Sequence, residues 1–312
     1  MTGLAPEPPP PSSESASGPT TRFAPAPTGR LHLGHLANAI YVWGLARREG
    51  GRVILRIEDH DRQRCRPEYE TALLDDLDRL GIAADEPSTA ELRAGRPSAF
   101  RQSDRGATYQ DALATLDRLE RAYGCECTRS TFAAWREARG AAFSGSGCPG
   151  GCRGRSFDRR APGIGIRVAL GDGAESWDDL LLGPKQAQVA GSGDLLIRDR
   201  NENWTYALCV VVDDISHGVD LVVRGEDLVE ATAAQVRLGR SLGRATPLAF
   251  AHHPLVLRPD GSKLSKADGD TSVGDLLDAG ASAGDLFGEA AFRVGLLTAP
   301  RSISFEDALG LV

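Results

Sequence analysis

No apolar run in this chain of 312 residues approaches the roughly 20 residues that a membrane-spanning helix needs. A helical membrane span is not expected, and no membrane partner follows from the sequence. The opening MTGLAPEPPPPSSESASGPT lacks both the basic start and the apolar stretch of a secretory signal. Basic residues are outnumbered: 36 Lys and Arg stand against 43 Asp and Glu, for a net charge of −7. That balance argues against a generic nucleic-acid coat and leaves room for a local basic groove. No internal repeat is visible. These absences point to a cytoplasmic protein, where thiols stay reduced, so the six cysteines need a reading other than a disulfide framework.

What is present is ordinary for a globular protein, with 41% apolar and 25% charged residues, enough for one large domain or two modest ones. Residues 1–21 are rich in Pro, Ser and Gly and read as a disordered N-terminal tail. A strand then leads into APAPTGRLHLGH, where Pro25 and Pro27 keep the backbone extended and Gly29 permits a turn. Leu36, Ala39, Ile40, Trp43 and Leu45 recur at near-helical spacing, which places His35 at or just inside a helix start. GRVILRIEDHD reads as a buried strand with acids at its C-terminal end. PEYETALLDDLDRLG and TYQDALATLDRLERAYG follow as amphipathic helices. The alternation of strand and helix predicts a doubly wound α/β domain with a Rossmann-like parallel sheet. Periodicity is lost over 124–163, which holds four of the cysteines, and returns afterwards. The expected layout is the tail over 1–21, the first half of a nucleotide-binding domain over 22–103, an inserted subdomain over 104–190, the second half over 191–270 and a short helical segment over 271–312.

Three clusters carry chemistry. The first is HLGH, with His32, Gly34 and His35 in a turn ahead of a helix, whose N-terminal N–H groups and dipole favour a phosphate. The plainer reading of the same residues is a capped turn. The second is GSKLSKADG, a loop of Gly and Ser with Lys263 and Lys266 three apart. Lysine is a mobile point charge suited to a transferring phosphate. The third is a pair of cysteine knuckles, Cys125 and Cys127 in CEC and Cys148 and Cys152 in CPGGC. Two close thiolate pairs suit a closed, structural tetrahedral zinc site. Cys209, inside ALCVVVDD, reads as a core residue.

HLGH near the start and KLSK near the end, separated by an insertion, resemble the class I aminoacyl-tRNA synthetases. RFAPAPTGRLHLGH, GGRVILRIEDHDRQR, YALCVVVDD, VVRGEDL and LSK resemble the glutamyl-tRNA synthetase group at successive positions from 22 to 268. Only about 44 residues follow Asp268, too few for the helical anticodon-binding region of full-length members. The chain is therefore similar to the short glutamyl-queuosine branch of that family.

That resemblance implies an ATP-dependent ligase that activates L-glutamate as glutamyl-adenylate and transfers it to the queuosine base of tRNA(Asp). It implies an acceptor-stem-like inserted subdomain with zinc, no anticodon-binding domain, magnesium with the ATP, and a monomer that receives the anticodon stem-loop in its active site. A glutamate pocket is implied at Arg22, Phe23, Ala24, Pro25 and Ala26, with Glu58 on the ammonium group and Tyr206 and Arg224 as further contacts. Arg22 and Arg224 are the expected carboxylate clamps, since a guanidinium fork fits two oxygens. His32, Gly34, His35 and Lys266 are the implied ATP contacts, with Lys263 assisting. Members of the branch usually carry a tyrosine where this chain has Cys148. RGRSFDRR, from Arg153 to Arg160, is a local basic cluster that reads either as a grip on RNA phosphates or as a solvated loop. Two alternatives stay open: a truncated glutamyl-tRNA synthetase that charges a tRNA 3′ end, and an inactive RNA-binding relic.

Overall fold

The computed structural model describes residues 18–139, 148–189, 193–257 and 271–312. The KLSK loop, with Lys263 and Lys266, lies outside the described residues, as do residues 1–17. No helix among the described residues is long and apolar enough to cross a membrane.

Strand β1 (Thr20–Phe23) pairs in parallel with β2 (Arg52–Leu55) through the crossover helix α1 (Leu33–Arg48). The tail expectation is therefore corrected at its end. Thr20 and Thr21 are strand residues, and Thr21 is wholly buried. A second parallel pair, β8 (Leu221–Gly225) and β9 (Ala249–His253), is joined by helix α7 (Val229–Ser241). Asp220 N–H donates to Thr20 O at 3.0 Å, which brings β1 alongside the start of β8. Strand β5 (Ala174–Asp179) adds in parallel to β9, and β6 (Lys185–Gln188) adds to β5 in the antiparallel sense.

Helices cover both faces. On one face α1 is buried through most of its length, because it lies between the sheet and the C-terminal helices α9 (Ala283–Arg293) and α10 (Phe305–Leu309). Such a helix is apolar all round instead of amphipathic. The fit is close: a Cβ on Gly288 would sit 1.7 Å from Arg301 O. Segment 271–312 is thus part of the same core as β1 and β2. On the other face, α4 (Gly106–Arg118), α6 (Tyr206–Ser216) and α7 enclose a second apolar core around Tyr109, Leu208 and Phe250. Cys209 is wholly buried there, as expected.

A separate antiparallel sheet holds β3 (Ala122–Cys125), β4 (Gly165–Val168) and β7 (Leu195–Arg198), with helix α5 (Arg129–Arg139) beside the cysteines. The strand pairing cuts across the boundaries expected from composition. Strands β5 and β6, expected in the insertion, join the parallel sheet, while β7, expected beyond it, closes the antiparallel one. The helix expected to run on to Gly124 stops at Arg118, and Ala122–Cys125 becomes strand because β4 offers it a partner edge.

Candidate active site

The cleft opens where β1 and β2 end, the side on which open α/β sheets bind ligands. Past β2 the chain stays beside the segment that follows β1: Arg56 N–H donates to Phe23 O at 2.9 Å and Glu58 N–H to Pro25 O at 3.2 Å. Arg22, Phe23, Ala24, Pro25 and Ala26 therefore face Glu58 across one cavity of about 680 Å³. Tyr206, from the start of α6, and Arg224, from β8, line the same cavity, as do His32, Gly34 and His35 at the start of α1. Every sequence-predicted residue of the glutamate and phosphate sites that lies within the described residues meets in this one place.

The histidine turn has its own logic. His32 is the N-cap of α1, and its Nδ1 accepts from Gly34 N–H at 3.1 Å. His35 Nδ1 in turn accepts from His32 N–H at 3.1 Å, closing a reciprocal capping box. The capped-turn reading therefore holds in the structure. A neutral ring that accepts at Nδ1 carries its proton on Nε2, the donor that a phosphate oxygen requires.

Behind the cleft lies a buried charge network. Arg22 Nε donates to Asp214 Oδ1 at 3.2 Å and its Nη1 to Val223 O at 3.1 Å. Arg56, wholly buried, donates from Nη1 to Asp214 Oδ1 at 2.7 Å and from Nη2 to Glu58 Oε1 at 3.0 Å. Burial would raise the Asp214 carboxyl, but Arg22 and Arg56 outweigh it and hold it below the usual carboxylate range. Burial pushes the Tyr206 phenol up, against the opposing pull of Arg224. Asp213, next in sequence, turns the other way and takes Arg105 Nε at 2.7 Å and the Tyr109 hydroxyl at 3.0 Å.

Arg224 differs from these. Its side chain is buried too, but its hydrogen-bond acceptors carry no formal charge. It donates to His252 Nε2 at 3.0 Å, Gln235 Oε1 at 2.6 Å, Thr232 Oγ1 at 2.8 Å and Leu228 O at 3.3 Å. Each of these acceptors is neutral when His252 is neutral, and burial lowers the His252 pKa. His252 Nδ1 meets Asp179 Oδ2 at 2.5 Å, which fixes the tautomer whose Nε2 accepts from Arg224. A buried cation on neutral acceptors is an incomplete pairing. Asp214 and the Tyr206 hydroxyl also act on Arg224, and its open side is the cleft, where an entering anion would add to this pairing.

Sequence reasoning missed Asn38, His60, Arg64, Asp227 and His253, which also line the cavity. His60 and Arg64 follow Glu58 within a few residues, so proximity was an available signal. His253 accepts from Asn38 Nδ2 at 3.0 Å and stacks on Tyr41, a long-range pairing that no local pattern announces.

The cysteine knuckles also come together. The ligand atoms of Cys125, Cys127 and Cys148 lie within 4.8 Å of one another, and Cys152 Sγ is 3.5 Å from Cys127 Sγ. A tetrahedron of Zn–S bonds near 2.3 Å places sulfurs about 3.8 Å apart, so the donor set fits zinc. Arg167 Nε donates to Cys125 Sγ at 3.3 Å and Nη1 to Asp194 O at 2.8 Å. Asp194 pairs its backbone with Cys148 and its carboxylate with Arg153, tying the second knuckle to the strand region. The basic cluster is largely occupied by such pairings. Arg153 is held by Asp194, Arg155 by Glu126 and Arg159 by Asp117, which leaves Arg160 as the member without an ion pair among the described residues.

Comparison with known proteins follows the same lines. The profile of the catalytic domain of "tRNA synthetases class I (E and Q)" matches residues 20–281. A "Glutamyl-Q tRNA(Asp) synthetase" from Symbiobacterium thermophilum is 38% identical, covering 92% of this chain and 90% of that relative. One of the same name from Rhodobacter capsulatus is 38% identical, over 85% of this chain and 97% of the relative. A "Glutamate--tRNA ligase" from Bordetella parapertussis is also 38% identical, but the matched region spans 51% of its length. The crystal structure of a glutamate tRNA ligase from Elizabethkingia meningosepticum, in complex with its amino acid, superposes with a TM-score of 0.72 at 25% identity, over 94% of this chain and 64% of that one.

Proposed function

We infer the reaction from one premise: this chain belongs to the glutamate and glutamine group of class I tRNA synthetases, and within it to the glutamyl-Q tRNA(Asp) synthetases. The reading that best fits the site is ATP-dependent activation of L-glutamate, followed by transfer of the glutamyl group to the queuosine base of tRNA(Asp). The observation that carries it is the single cleft in which Arg22, Arg224, Glu58 and Tyr206 stand beside the histidine turn of α1.

The substrate is a cation and two carboxylates on one small frame. Glu58 suits its ammonium group, and Arg22 and Arg224 suit its carboxylates. The cation of Arg224, held on neutral acceptors, gains an anionic partner when glutamate enters. The α-carboxylate oxygen attacks the α-phosphorus of ATP, the bond to the bridging oxygen breaks, and pyrophosphate leaves. His32 and His35 offer N–H donors to the phosphates at the N-terminus of α1. Lys266, with Lys263 assisting, is assigned to the negative charge that grows on the phosphates. Magnesium carried in with ATP would neutralise part of that charge. No side chain need form a covalent bond. The work is positioning and electrostatic stabilisation. In the second step a hydroxyl of the queuosine ring attacks the activated carbonyl and releases AMP.

Cys125, Cys127, Cys148 and Cys152 would hold a structural zinc that fixes the β3 end of the antiparallel sheet, in a subdomain assigned to RNA contact. Queuosine as acceptor is supported over a tRNA 3′ end by the names of two relatives, both glutamyl-Q tRNA(Asp) synthetases at 38% identity. The same reading puts the enzyme in the cytoplasm, where tRNA, ATP and glutamate meet, and takes it as a monomer. ATP–pyrophosphate exchange tests the first step. Glutamate should support exchange and glutamine should not, since a neutral amide leaves a buried guanidinium unpaired at a cost of about 2–5 kcal/mol. Equal rates with the two amino acids would end this reading, and the absence of any exchange would favour the inactive relic.

A further inference from the structure

We propose that Arg56 is the positioning residue of the amino-acid site, a buried guanidinium that sets Glu58 and, through Asp214, Arg22 at the same time. The proposal deepens the glutamate reading and rests on it. Arg56 is wholly buried and touches no open part of the cavity lining. Its two terminal nitrogens go to different acids, Nη1 to Asp214 Oδ1 at 2.7 Å and Nη2 to Glu58 Oε1 at 3.0 Å. The same Asp214 oxygen takes Arg22 Nε at 3.2 Å. One planar fork therefore fixes the distance between the proposed ammonium partner and the proposed carboxylate partner of the substrate.

The charges explain why the device is needed. Arg22, Arg56, Glu58 and Asp214 sum to zero, so these four side chains balance one another, with Arg224 and Asp213 standing beside the set. Without Arg56, the carboxylates of Glu58 and Asp214 would share a buried space without the one cation that bonds to both. Like charges in such a space repel or take up protons. Burial works to lower the Arg56 pKa, but Asp214, Glu58 and Asp213 together raise it, so the fork stays charged throughout the working range. Lysine cannot replace this geometry, because an ammonium is a point charge without a fork. Local structure adds a reason for precision. Arg56 and Glu58 are separated by one residue on an extended segment, so both project to the same side of the strand end, and Arg56 N–H is pinned to Phe23 O at 2.9 Å.

Two variants test it by ATP–pyrophosphate exchange, with glutamate and ATP titrated separately. Arg56→Lys should raise the glutamate KM by about tenfold or more while the ATP KM stays within about twofold, the mark of lost ground-state binding at one substrate only. Its kcat/KM for glutamate should also lose activity at a higher pH on the acid side than the parent, because the carboxylate pair is less well compensated. Asp214→Asn keeps the Arg56–Glu58 contact and weakens the link to Arg22. It should raise the glutamate KM while the ATP KM stays within about twofold. An Arg56→Lys enzyme that folds and keeps the parent's glutamate KM and acid limb overturns the proposal. So does an equal rise in both KM values, which marks a structural role alone. If Arg56→Lys does not fold, Asp214→Asn decides, and an unchanged glutamate KM overturns the proposal. The glutamate reading fails separately, when the unmodified enzyme shows no glutamate-dependent exchange.

Discussion

Arg224→Ala should act on stability and on substrate at once, and the two effects can be separated. The side chain is buried and serves four acceptors. Thr232 Oγ1 and Leu228 O also bond to each other at 3.2 Å, so they are not left bare when Arg224 goes. Gln235 Oε1 and His252 Nε2 lose their main donor. A buried group stranded in this way costs about 1–3 kcal/mol, so the pair costs roughly 2–6 kcal/mol. Removing a buried cation that sits on neutral acceptors returns part of that sum, which favours the lower end. Against a typical stability of about 5–15 kcal/mol the variant should still fold, with its urea midpoint lowered. For glutamate the loss of one charged partner is worth about 2–5 kcal/mol, and Arg22 remains, so a KM raised about 30-fold or more is expected. The ATP KM should stay near the parent value, because the histidine turn is untouched. Urea melts and a glutamate titration of exchange activity measure both effects. A folded Arg224→Ala enzyme whose glutamate KM moves less than about threefold would refute the clamp assignment.

Other outcomes follow from the same geometry. His35→Ala and Lys266→Ala should each slow adenylate formation by on the order of 10²–10³, the effect of removing one preorganised stabiliser. Parent-level exchange in either variant would remove that residue from the phosphate site. Reduced protein should contain about one zinc per chain by metal analysis. Cys148→Ala should lose metal and transfer activity while glutamate exchange largely survives, since the core around β1, β2 and α1 is separate from the cysteine cluster. Retention of a full zinc complement in that variant would argue against Cys148 as a ligand. His217, stacked on Phe100, is pushed down to about 3 by burial first and by Arg56 and Arg105 next. The unfolded ring binds a proton near pH 6.5. Stability should therefore fall as pH drops below about 6.5, by up to about 1.4 kcal/mol per pH unit, and keep falling towards pH 3. His217→Gln should flatten that slope between about pH 6 and 5, where most carboxylates do not yet titrate, and an unchanged slope would contradict the assignment.

The parts of the site that are legible in the sequence are those fixed by local backbone chemistry. The turn at Arg30 to His35 announces itself because histidines beside a glycine can cap the helix they precede, and they do. Glu58 is legible because it ends a short apolar strand, and strand ends at the C-terminal edge of a parallel sheet face the ligand. The cysteine knuckles are legible from spacing alone. The support behind the cleft is not. Arg56 meets Asp214 across 158 residues and Gln102 meets Asp213 across 111, and no period or spacing encodes such pairs. The basic cluster is legible only in part. Its arginines look available in sequence, but acids from distant segments, Asp117 and Asp194, neutralise Arg159 and Arg153 in the fold. The domain boundaries suffer for a similar reason. Strand β5 takes its place from its parallel partner β9, some 70 residues away, and not from the composition around it.

The most direct measurement is a charging assay with radiolabelled glutamate on tRNA(Asp) that carries queuosine, on the same tRNA with guanine at the wobble position, and on tRNA(Glu). The account predicts ATP-dependent attachment to the queuosine-containing tRNA(Asp) alone, with the label recovered in the anticodon stem-loop after nuclease digestion. Attachment to tRNA(Glu) at its 3′ end, or equal attachment to tRNA(Asp) with and without queuosine, would contradict it.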